Sequence, residues 1–287
     1  MKKLSDIGTI KEILTKYGFS FSKALGQNFL VNPSVCPKMA EMGGAKEGVG
    51  VIEVGPGIGV LTCELAKRAD KVAAIELDKR LLPVLDETLE EFDNVKIINE
   101  DVLKIDLHKL IEEEFTGLDV VVCANLPYYI TSPVIMKLLE DKLPVKSITV
   151  MVQKEAADRL CAELGTRQTG AVTVAVNYYA KAEMLFKVSS GSFMPPPKVD
   201  SAVIKLDVYD EPFVKVCSEE MLFKVIKAAF AQRRKTLLNT LSNSMHFGKT
   251  EISQALDSAG IPQTSRAEQL KLEDFAAIAD ELHKLEK

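Results

Sequence analysis

The sequence has no tryptophan, few histidines and few cysteines. Its 287 residues include three histidines and five cysteines, and the cysteines are dispersed without a C-x-x-C pair. The histidines lie far apart, so the sequence predicts neither a metal site nor a histidine-based nucleophilic triad. An odd, scattered set of cysteines is typical of reduced thiols in the cytoplasm rather than of disulfides. We therefore expect a cytoplasmic protein without a bound metal.

Long apolar segments are also missing. No run approaches the roughly 18 apolar residues that a membrane span requires, and the two lysines near the amino terminus are not followed by the apolar core of a secretory signal. Apolar residues make up 47% of the chain and charged residues 27%, which is the composition of a soluble globular protein. We expect no membrane partner, and a chain of this length predicts one large domain and one small domain.

Acidic residues are absent from one stretch of an otherwise acidic chain. The net charge is -5, yet residues 221–250 contain no Asp or Glu. The basic side chains in this stretch include Lys227, Arg233, Arg234 and Lys235. A run of charge is often only a solvated surface, but a local positive patch on an acidic protein can bind phosphate selectively. The length of the acid-free stretch favours phosphate contact.

Alternating strand and helix patterns predict a doubly wound α/β sheet with right-handed crossovers. Apolar, β-branched segments that begin near residues 50, 71, 95, 119 and 145 predict strands. Residues 201–208 alternate between apolar and polar side chains and predict the last strand. Residues 170–188 are ambiguous, because the segment up to Ala180 has a helix-like apolar face whereas residues 184–188 resemble a strand.

The carboxyl-terminal part of the chain has a helical pattern. The sheet pattern stops near Tyr209, and we therefore place residues 1–209 in one domain and residues 210–287 in a small helical domain. Three or four short helices are predicted there, with a break at Gly248 and another near Pro262. The residues from 230 onward predict an amphipathic helix that carries the basic cluster.

A glycine-rich turn follows the first predicted strand. Glycines at 55, 57 and 59 let the backbone turn tightly and approach a ligand without a Cβ in the way. The G-x-G-x-G spacing differs from the G-x-G-x-x-G of dinucleotide folds. Glu76 ends the next strand, about 20 positions after Gly55, where a carboxylate can accept from two ribose hydroxyls. An acid that merely opens a helix is the alternative, but the order of turn and carboxylate favours an adenosine-type cofactor, and Asp101 could accept from its adenine amine.

The fourth strand stops abruptly at Asn125-Leu126-Pro127-Tyr128. Pro127 cannot donate to a strand ladder, and the carboxyl ends of strands in open α/β sheets border the ligand crevice. An Asn carboxamide and a neighbouring carbonyl can accept both hydrogens of an amine, and an aromatic ring offers a flat face to a base. These groups suit an exocyclic amine on a planar heterocycle. The alternative is an ordinary loop in which Asn125 caps the next helix.

A triple proline follows Phe193 in the segment 191–199. Consecutive prolines form a stiff, extended segment, which would hold the Phe193 ring in place. The segment either presents this ring to a ligand or is a structural connection that buries Phe193 in the core.

In their order and combination, these motifs closely resemble the bacterial small-subunit ribosomal RNA adenine N6,N6-dimethyltransferases. The resemblance runs from Gly26-Gln-Asn-Phe29 to Phe230-Ala-Gln-Arg-Arg-Lys235 and spans almost the whole chain. It implies a seven-stranded, Rossmann-like methyltransferase sheet that uses S-adenosyl-L-methionine (SAM), with a small all-helical carboxyl-terminal domain.

The resemblance implies a role for each matching residue. Asn28, Leu30, Gly55, Gly57, Glu76, Asp101 and Asn125 would bind SAM, with Glu76 on the ribose and Asp101 on the adenine amine. Asn125, Leu126, Pro127 and Tyr128 would hold the target amine and base, and Phe193 would supply a second stacking ring. Arg233, Arg234, Lys235 and Lys227 would contact RNA.

The implied reaction is dimethylation of the N6 amines of two adjacent adenosines in a hairpin near the 3′ end of 16S rRNA. The partner would be the small ribosomal subunit or its precursor, and the enzyme would act as a monomer. One alternative is a 23S rRNA adenine dimethylase, which as a rule lacks the basic helix. A non-catalytic RNA-binding or transcription factor is disfavoured by the intact Asn125 motif. The glycine spacing and that motif also disfavour a dehydrogenase.

Overall fold

The computed structural model describes residues 4–19 and 27–286. Its helices are α1 (Ile7–Lys16), α2 (Val35–Met42), α3 (Val60–Ala66), α4 (Leu82–Thr88), α5 (Leu107–Glu114), α6 (Thr131–Glu140), α7 (Lys154–Leu160), α8 (Ala171–Tyr179), α9 (Glu219–Ala229), α10 (Leu237–Ser244), α11 (Lys249–Ser258) and α12 (Leu272–Leu285). Its strands are β1 (Phe29–Leu30), β2 (Val49–Val54), β3 (Lys71–Ile75), β4 (Val95–Ile98), β5 (Asp119–Asn125), β6 (Ser147–Gln153), β7 (Ala180–Val188), β8 (Phe193–Met194) and β9 (Ser201–Val208).

Seven of these strands form one sheet in the order β4-β3-β2-β5-β6-β9-β7. The strands from β2 to β6 pair in parallel, whereas β9 runs antiparallel to β6. The predicted α/β sheet is therefore confirmed, including the strand at residues 201–208. All six residues of β2 are buried, which is why this strand has an almost continuously apolar sequence. The carboxyl ends of β2, β3, β4 and β5 meet at one edge of the sheet.

The chain divides into two compact units, and the division differs from the predicted one. The first unit contains the residues up to Ala157 together with Glu183–Val208, and the second contains Asp158–Ala182 together with the chain from Tyr209. The chain passes from one unit to the other at three points, after Ala157, after Ala182 and after Val208. The predicted boundary at residue 209 corresponds only to the last of them. Residues 158–182 join the carboxyl-terminal helices because the apolar helix α8 packs on α9 and α12.

Aromatic side chains hold α8 to α9 within the second unit. The rings of Tyr179 and Phe223 stack with centroids 5.6 Å apart, and the Tyr179 hydroxyl donates to Glu219. The ambiguous segment 170–188 thus contains both predicted elements, a helix followed by the strand β7. The number of carboxyl-terminal helices in the described residues, four, and the breaks at Gly248 and near Pro262 are as predicted.

The basic cluster lies in a turn, and the helix predicted for residues 230 onward is wrong. Helix α9 ends at Ala229, and α10 begins only at Leu237. The Phe230 ring stacks on Phe275 at 5.9 Å, and Leu237 is 1% exposed. The polar residues between half-buried Phe230 and buried Leu237 lie in an exposed turn, which is closed by Lys235 N donating to the Gln232 carbonyl. The amphipathic pattern therefore arises from apolar residues on both sides of a turn, Phe230 and Leu237, and not from one continuous helix.

Membrane-spanning helices and metal clusters are both absent from residues 4–19 and 27–286. None of the helices there is long and apolar enough to cross a membrane. The same residues contain no group of three or more His, Cys, Asp or Glu side chains that could hold a metal ion.

Candidate functional site

A cleft lies at the carboxyl edge of the sheet in the first unit. The predicted SAM and amine residues all line it: Asn28, Leu30, Gly55, Gly57, Glu76, Asp101, Asn125, Leu126, Pro127 and Tyr128. These residues come from β1, the turn after β2, the ends of β3 and β5, and the loop after β4. The parallel sheet therefore brings together side chains that are up to a hundred positions apart in the sequence.

The turn after β2 requires glycine for its backbone conformation. Gly55 and Gly57 have φ values of 70° and 62°, which favour glycine strongly. A Cβ on Gly57 would lie 3.2 Å from the Phe29 ring, and one on Gly55 would lie 3.8 Å from Pro127 Cδ. The turn is tied to the neighbouring strand by the Gly55 N–H, which donates to the Ile75 carbonyl at 2.9 Å.

Glu76 is a buried carboxyl group held in place by backbone donors. Its Oε2 accepts from Gly57 N at 3.3 Å and its Oε1 from Asp78 N at 2.8 Å. Burial raises the pKa of Glu76 to about 7, and the two N–H groups offset part of this shift. Each carboxylate oxygen can accept more than one hydrogen bond, so hydroxyl groups of a ligand can still bind.

Asp101, Asn28 and Leu30 form other parts of the wall. Asp101 is half-buried, and its Oδ1 accepts from Leu103 N at 3.0 Å. Leu30 is buried in β1, where it pairs with Phe193 of β8. Asn28 is half-buried just before β1. Gly26, which begins the matching motif, lies outside the described residues.

The Asn125–Tyr128 segment is fixed on both sides. Leu126 N donates to the Met151 carbonyl of β6 at 3.2 Å, and the Leu126 side chain is 1% exposed. The Tyr128 hydroxyl lies 2.7 Å from Ser201 Oγ at the start of β9. Helix α6 begins after Ile130 without a side-chain cap. The alternative in which Asn125 caps this helix is therefore wrong, and the carboxamide of Asn125 borders the cleft.

Phe193 does not border the cleft in this structure. Its side chain is 4% exposed and packs in a buried cluster with Leu30, Cys36 and Val203. This burial matches the alternative in which the proline segment is a structural connection with Phe193 in the core. A stacking role would require the ring to leave that cluster.

The four basic residues are exposed and belong to the second unit. Arg233, Arg234 and Lys235 lie in the turn before α10, and Lys227 lies near the end of α9. The Arg233 guanidinium donates to the carbonyl of Arg167 at 3.0 Å. Arg167 is itself exposed, so this bond places another basic side chain next to the cluster.

Comparisons with known proteins identify the family of this chain. The sequence model described as "Ribosomal RNA adenine dimethylase" matches residues 18–284. This chain belongs to the ribosomal RNA adenine dimethylase family. It is 50% identical to a ribosomal RNA small subunit methyltransferase A of Alkaliphilus oremlandii over 99% of both chains. It is 51% identical to the protein of that name in Geobacillus thermodenitrificans, over 98% of this chain and 97% of the relative.

Two solved transferase structures have the same fold. A dimethyladenosine transferase from Plasmodium falciparum is 28% identical and superposes with a TM-score of 0.73, covering 89% of this chain and 98% of the other. The 23S rRNA methyltransferase ErmE is 25% identical with a TM-score of 0.66, covering 89% and 100%. As a member of this dimethylase family, the protein is a methyltransferase that uses SAM.

The cleft of the dimethylase fits SAM chemically. Its described lining contains four acidic side chains, Glu53, Glu76, Glu100 and Asp101, and no Lys or Arg. SAM carries a sulfonium and an ammonium, so an acidic lining suits its charge. The glycine turn leaves the space that a Cβ would fill, and Glu76 offers acceptors for hydroxyl groups.

Glu76→Ala tests the ribose role. We expect SAM binding to weaken by about 1–3 kcal/mol, which is the range for a charged hydrogen-bond partner. Because the pKa of Glu76 is about 7 and the ionised form is the better acceptor, SAM affinity in the wild type should also fall as the pH drops below that value. Calorimetry on Glu76→Ala, with Glu47→Ala as an exposed control outside the cleft, measures the effect. Unchanged affinity in folded Glu76→Ala protein would exclude this role.

Sequence reasoning missed several residues of the dimethylase. Glu53 lines the cleft, and the signal for it was an acid inside an otherwise apolar strand, Val51-Ile-Glu-Val54. Tyr129 also lines the cleft with its ring 54% exposed, but its sequence position resembles that of any loop aromatic. The approach of Arg167 to Arg233 depends on tertiary packing, and nothing in the sequence indicates it.

Proposed function

We propose that this dimethylase transfers methyl groups to the N6 atoms of two adjacent adenosines in a hairpin near the 3′ end of 16S rRNA. The substrate would be the small ribosomal subunit or its precursor, and the enzyme would act as a cytoplasmic monomer. The observation that carries the proposal is the identity of about 50% over nearly the full length to relatives named ribosomal RNA small subunit methyltransferase A. The Asn125 motif at the cleft supplies the chemistry.

Asn125 and Leu126 would act on the target amine. The N6 lone pair of adenine is delocalised into the ring, which makes the amine a poor nucleophile. If the Asn125 carboxamide oxygen and the Leu126 carbonyl accept its two hydrogens, the nitrogen is drawn toward tetrahedral geometry and its lone pair is freed for attack. Bound SAM supplies an electrophilic methyl group on a sulfonium. The contribution of these residues is positioning and electrostatic preorganisation.

The rigidity of the motif supports this role. The Leu126 side chain is buried and its N–H is bonded to β6, so its carbonyl direction is constrained by the sheet. Pro127 restricts the backbone between the two acceptors and the aromatic ring. Tyr128 is held through Ser201, and its ring would replace the stacking that the base loses on leaving the RNA. A role for Phe193 as a second stacking ring stays a prediction.

The basic turn would bind the RNA backbone. Arg233, Arg234 and Lys235 are exposed at the turn, with Lys227 nearby on α9 and Arg167 joined through Arg233. A turn anchored by two apolar residues, Phe230 and Leu237, can present its cationic side chains without disturbing the helices. Phosphate contacts of this kind position an RNA without reading its sequence.

Neutralising Arg233, Arg234 and Lys235 to Gln tests this surface. We expect weaker binding to small ribosomal subunits and a flatter dependence on salt, by a slope of up to about 0.9 for each duplex phosphate that the variant no longer neutralises. SAM affinity should not change. A matched control is Lys224→Gln, because Lys224 is already paired with Glu220 at 2.9 Å. If the salt dependence of the triple variant equalled that of the wild type, the turn would be a solvated surface only.

The target RNA is tested by transfer of labelled methyl groups from SAM. Small subunits from a strain that lacks the modification are the substrate, and large subunits from the same strain are the control. We expect dimethyladenosine at two adjacent positions of 16S rRNA after nucleotide mapping. Labelling of 23S rRNA alone would assign the protein to the large-subunit dimethylases, and no labelling of either RNA would favour a non-catalytic factor.

A further inference from the structure

Glu53 is a buried carboxyl group in the wall of the SAM cleft. It is 1% exposed on β2, immediately before the glycine turn. Its Oε2 has no hydrogen-bond partner within the described chain. The Thr62 hydroxyl of α3 stabilises the anion only in part, and this buried hydroxyl makes no hydrogen bond of regular geometry within the described residues. An isolated carboxylate in such a place is strongly disfavoured, so the group holds its proton in the ligand-free protein.

The groups around Glu53 reinforce this preference. A negative charge on Glu76, at the end of β3, disfavours a negative charge on Glu53. The two backbone N–H groups near Glu76 donate to Glu76 itself. The thiols that feel the charge of Glu53 are Cys36 of α2, Cys63 of α3 and Cys123 of β5, and burial raises the pKa of all three. None of these neighbours supplies a cation. Burial and the charge of Glu76 together raise the pKa of Glu53 to about 8.

A cationic ligand would change this balance. SAM has a net positive charge at neutral pH because its sulfonium adds to a zwitterionic amino-acid end. S-adenosylhomocysteine (SAH), the demethylated product, lacks the sulfonium and has no net charge. The described lining of the cleft contains four carboxyl groups and no basic side chain, so no protein cation in that lining competes with the ligand for the charge of Glu53. A nearby positive charge favours the ionised form of a buried carboxyl group.

We propose that Glu53 is a charge-sensing residue, which releases its proton to solvent when SAM binds and takes a proton back when SAH replaces SAM. The ionised carboxylate of Glu53 then stabilises bound SAM, which is cationic, but not bound SAH, which has no net charge. Consequently, SAM affinity should rise with pH up to about pH 8 and level off above it, whereas SAH affinity should show only the smaller dependence due to Glu76, whose ribose contact both ligands share. The inference depends on SAM binding alone and is independent of which RNA is methylated.

Isothermal titration calorimetry in buffers of low and high ionisation enthalpy measures the protons exchanged on binding. At neutral pH we expect SAM to release protons, and SAH to release far fewer. Sinefungin, in which a protonated amine replaces the sulfonium, should behave like SAM. Between pH 6 and pH 8 the SAM dissociation constant should fall by up to about tenfold per pH unit for one linked proton. Equal proton release with SAM and SAH would overturn the proposal without any variant.

The Glu53→Gln variant tests whether Glu53 is the group that releases the proton when SAM binds. The amide is close in shape to the protonated acid, so the fold should be retained, which circular dichroism can check. We expect this variant to lose most of the proton release and most of the pH dependence of SAM binding, leaving the smaller part due to Glu76. Glu47→Gln, at an exposed acid of the same unit that does not line the cleft, is the matched control and should titrate like the wild type. Full proton release in Glu53→Gln would overturn the assignment.

Discussion

Asn125→Ala should reduce methyl transfer by about 10²–10³-fold, because a preorganised polar group that acts on the reacting atom contributes that much to the rate. SAM affinity and RNA affinity should change little, since the carboxamide acts mainly on the target amine. Both methylations should fail together, because the same acceptor serves each of them. Single-turnover assays that separate mono- from dimethyladenosine measure this result.

Asn125→Asp is the control for the role of the oxygen atom. A carboxylate keeps an acceptor at the same reach but removes the amide donor. We expect Asn125→Asp to retain more activity than Asn125→Ala if accepting from the amine is the function of this side chain. Near wild-type turnover in Asn125→Ala would contradict the proposed mechanism, even though the family assignment would stand.

Phe193→Ala should destabilise the fold by about 3–5 kcal/mol, the range for removing a buried Phe side chain. The reason is structural: Phe193 is 4% exposed, and its ring lies in the cluster that joins β1 and β8 to the sheet. Denaturant unfolding measures the effect. The change should occur without SAM or RNA, since it does not depend on a ligand.

Phe213→Ala is the matched control, because Phe213 is 59% exposed and its backbone N–H bond to Tyr178 does not involve the ring. We expect this variant to stay within about 0.5 kcal/mol of the wild type. A Phe193→Ala protein of wild-type stability that loses dimethylation but not monomethylation would instead support the stacking role implied by the resemblance.

The sheet and most of the cleft could be predicted from sequence because they depend on local patterns. Buried parallel strands have apolar runs, and polar residues at their ends must meet at one edge. Glu76, Asp101 and Asn125 each follow such a run, so their convergence follows from the topology alone. The glycine positions could be predicted for the same reason, since a tight turn with positive φ favours glycine.

The remaining features depend on contacts between distant segments. The destination of the Phe193 ring is set by the pairing of β1 with β8, two-residue strands that have no sequence signature. The turn at Arg233 is set by the packing of Phe230 on Phe275. Helical periodicity continues across that turn because the anchors on each side happen to be apolar. A pattern of this kind cannot distinguish one helix from two.

The second unit is built from two separate parts of the chain, and this affects how the protein can be made. During synthesis α8 leaves the ribosome well before α9 and α12. Its apolar face therefore stays exposed until these two helices have been translated. The first unit is also incomplete until β9 has been translated, because β9 pairs with β6 and follows residues 158–182 of the second unit. The enzyme therefore cannot mature domain by domain from its amino terminus, as multidomain chains generally do. A chain truncated after residue 209 would keep α8 without its cover, and we expect it to aggregate.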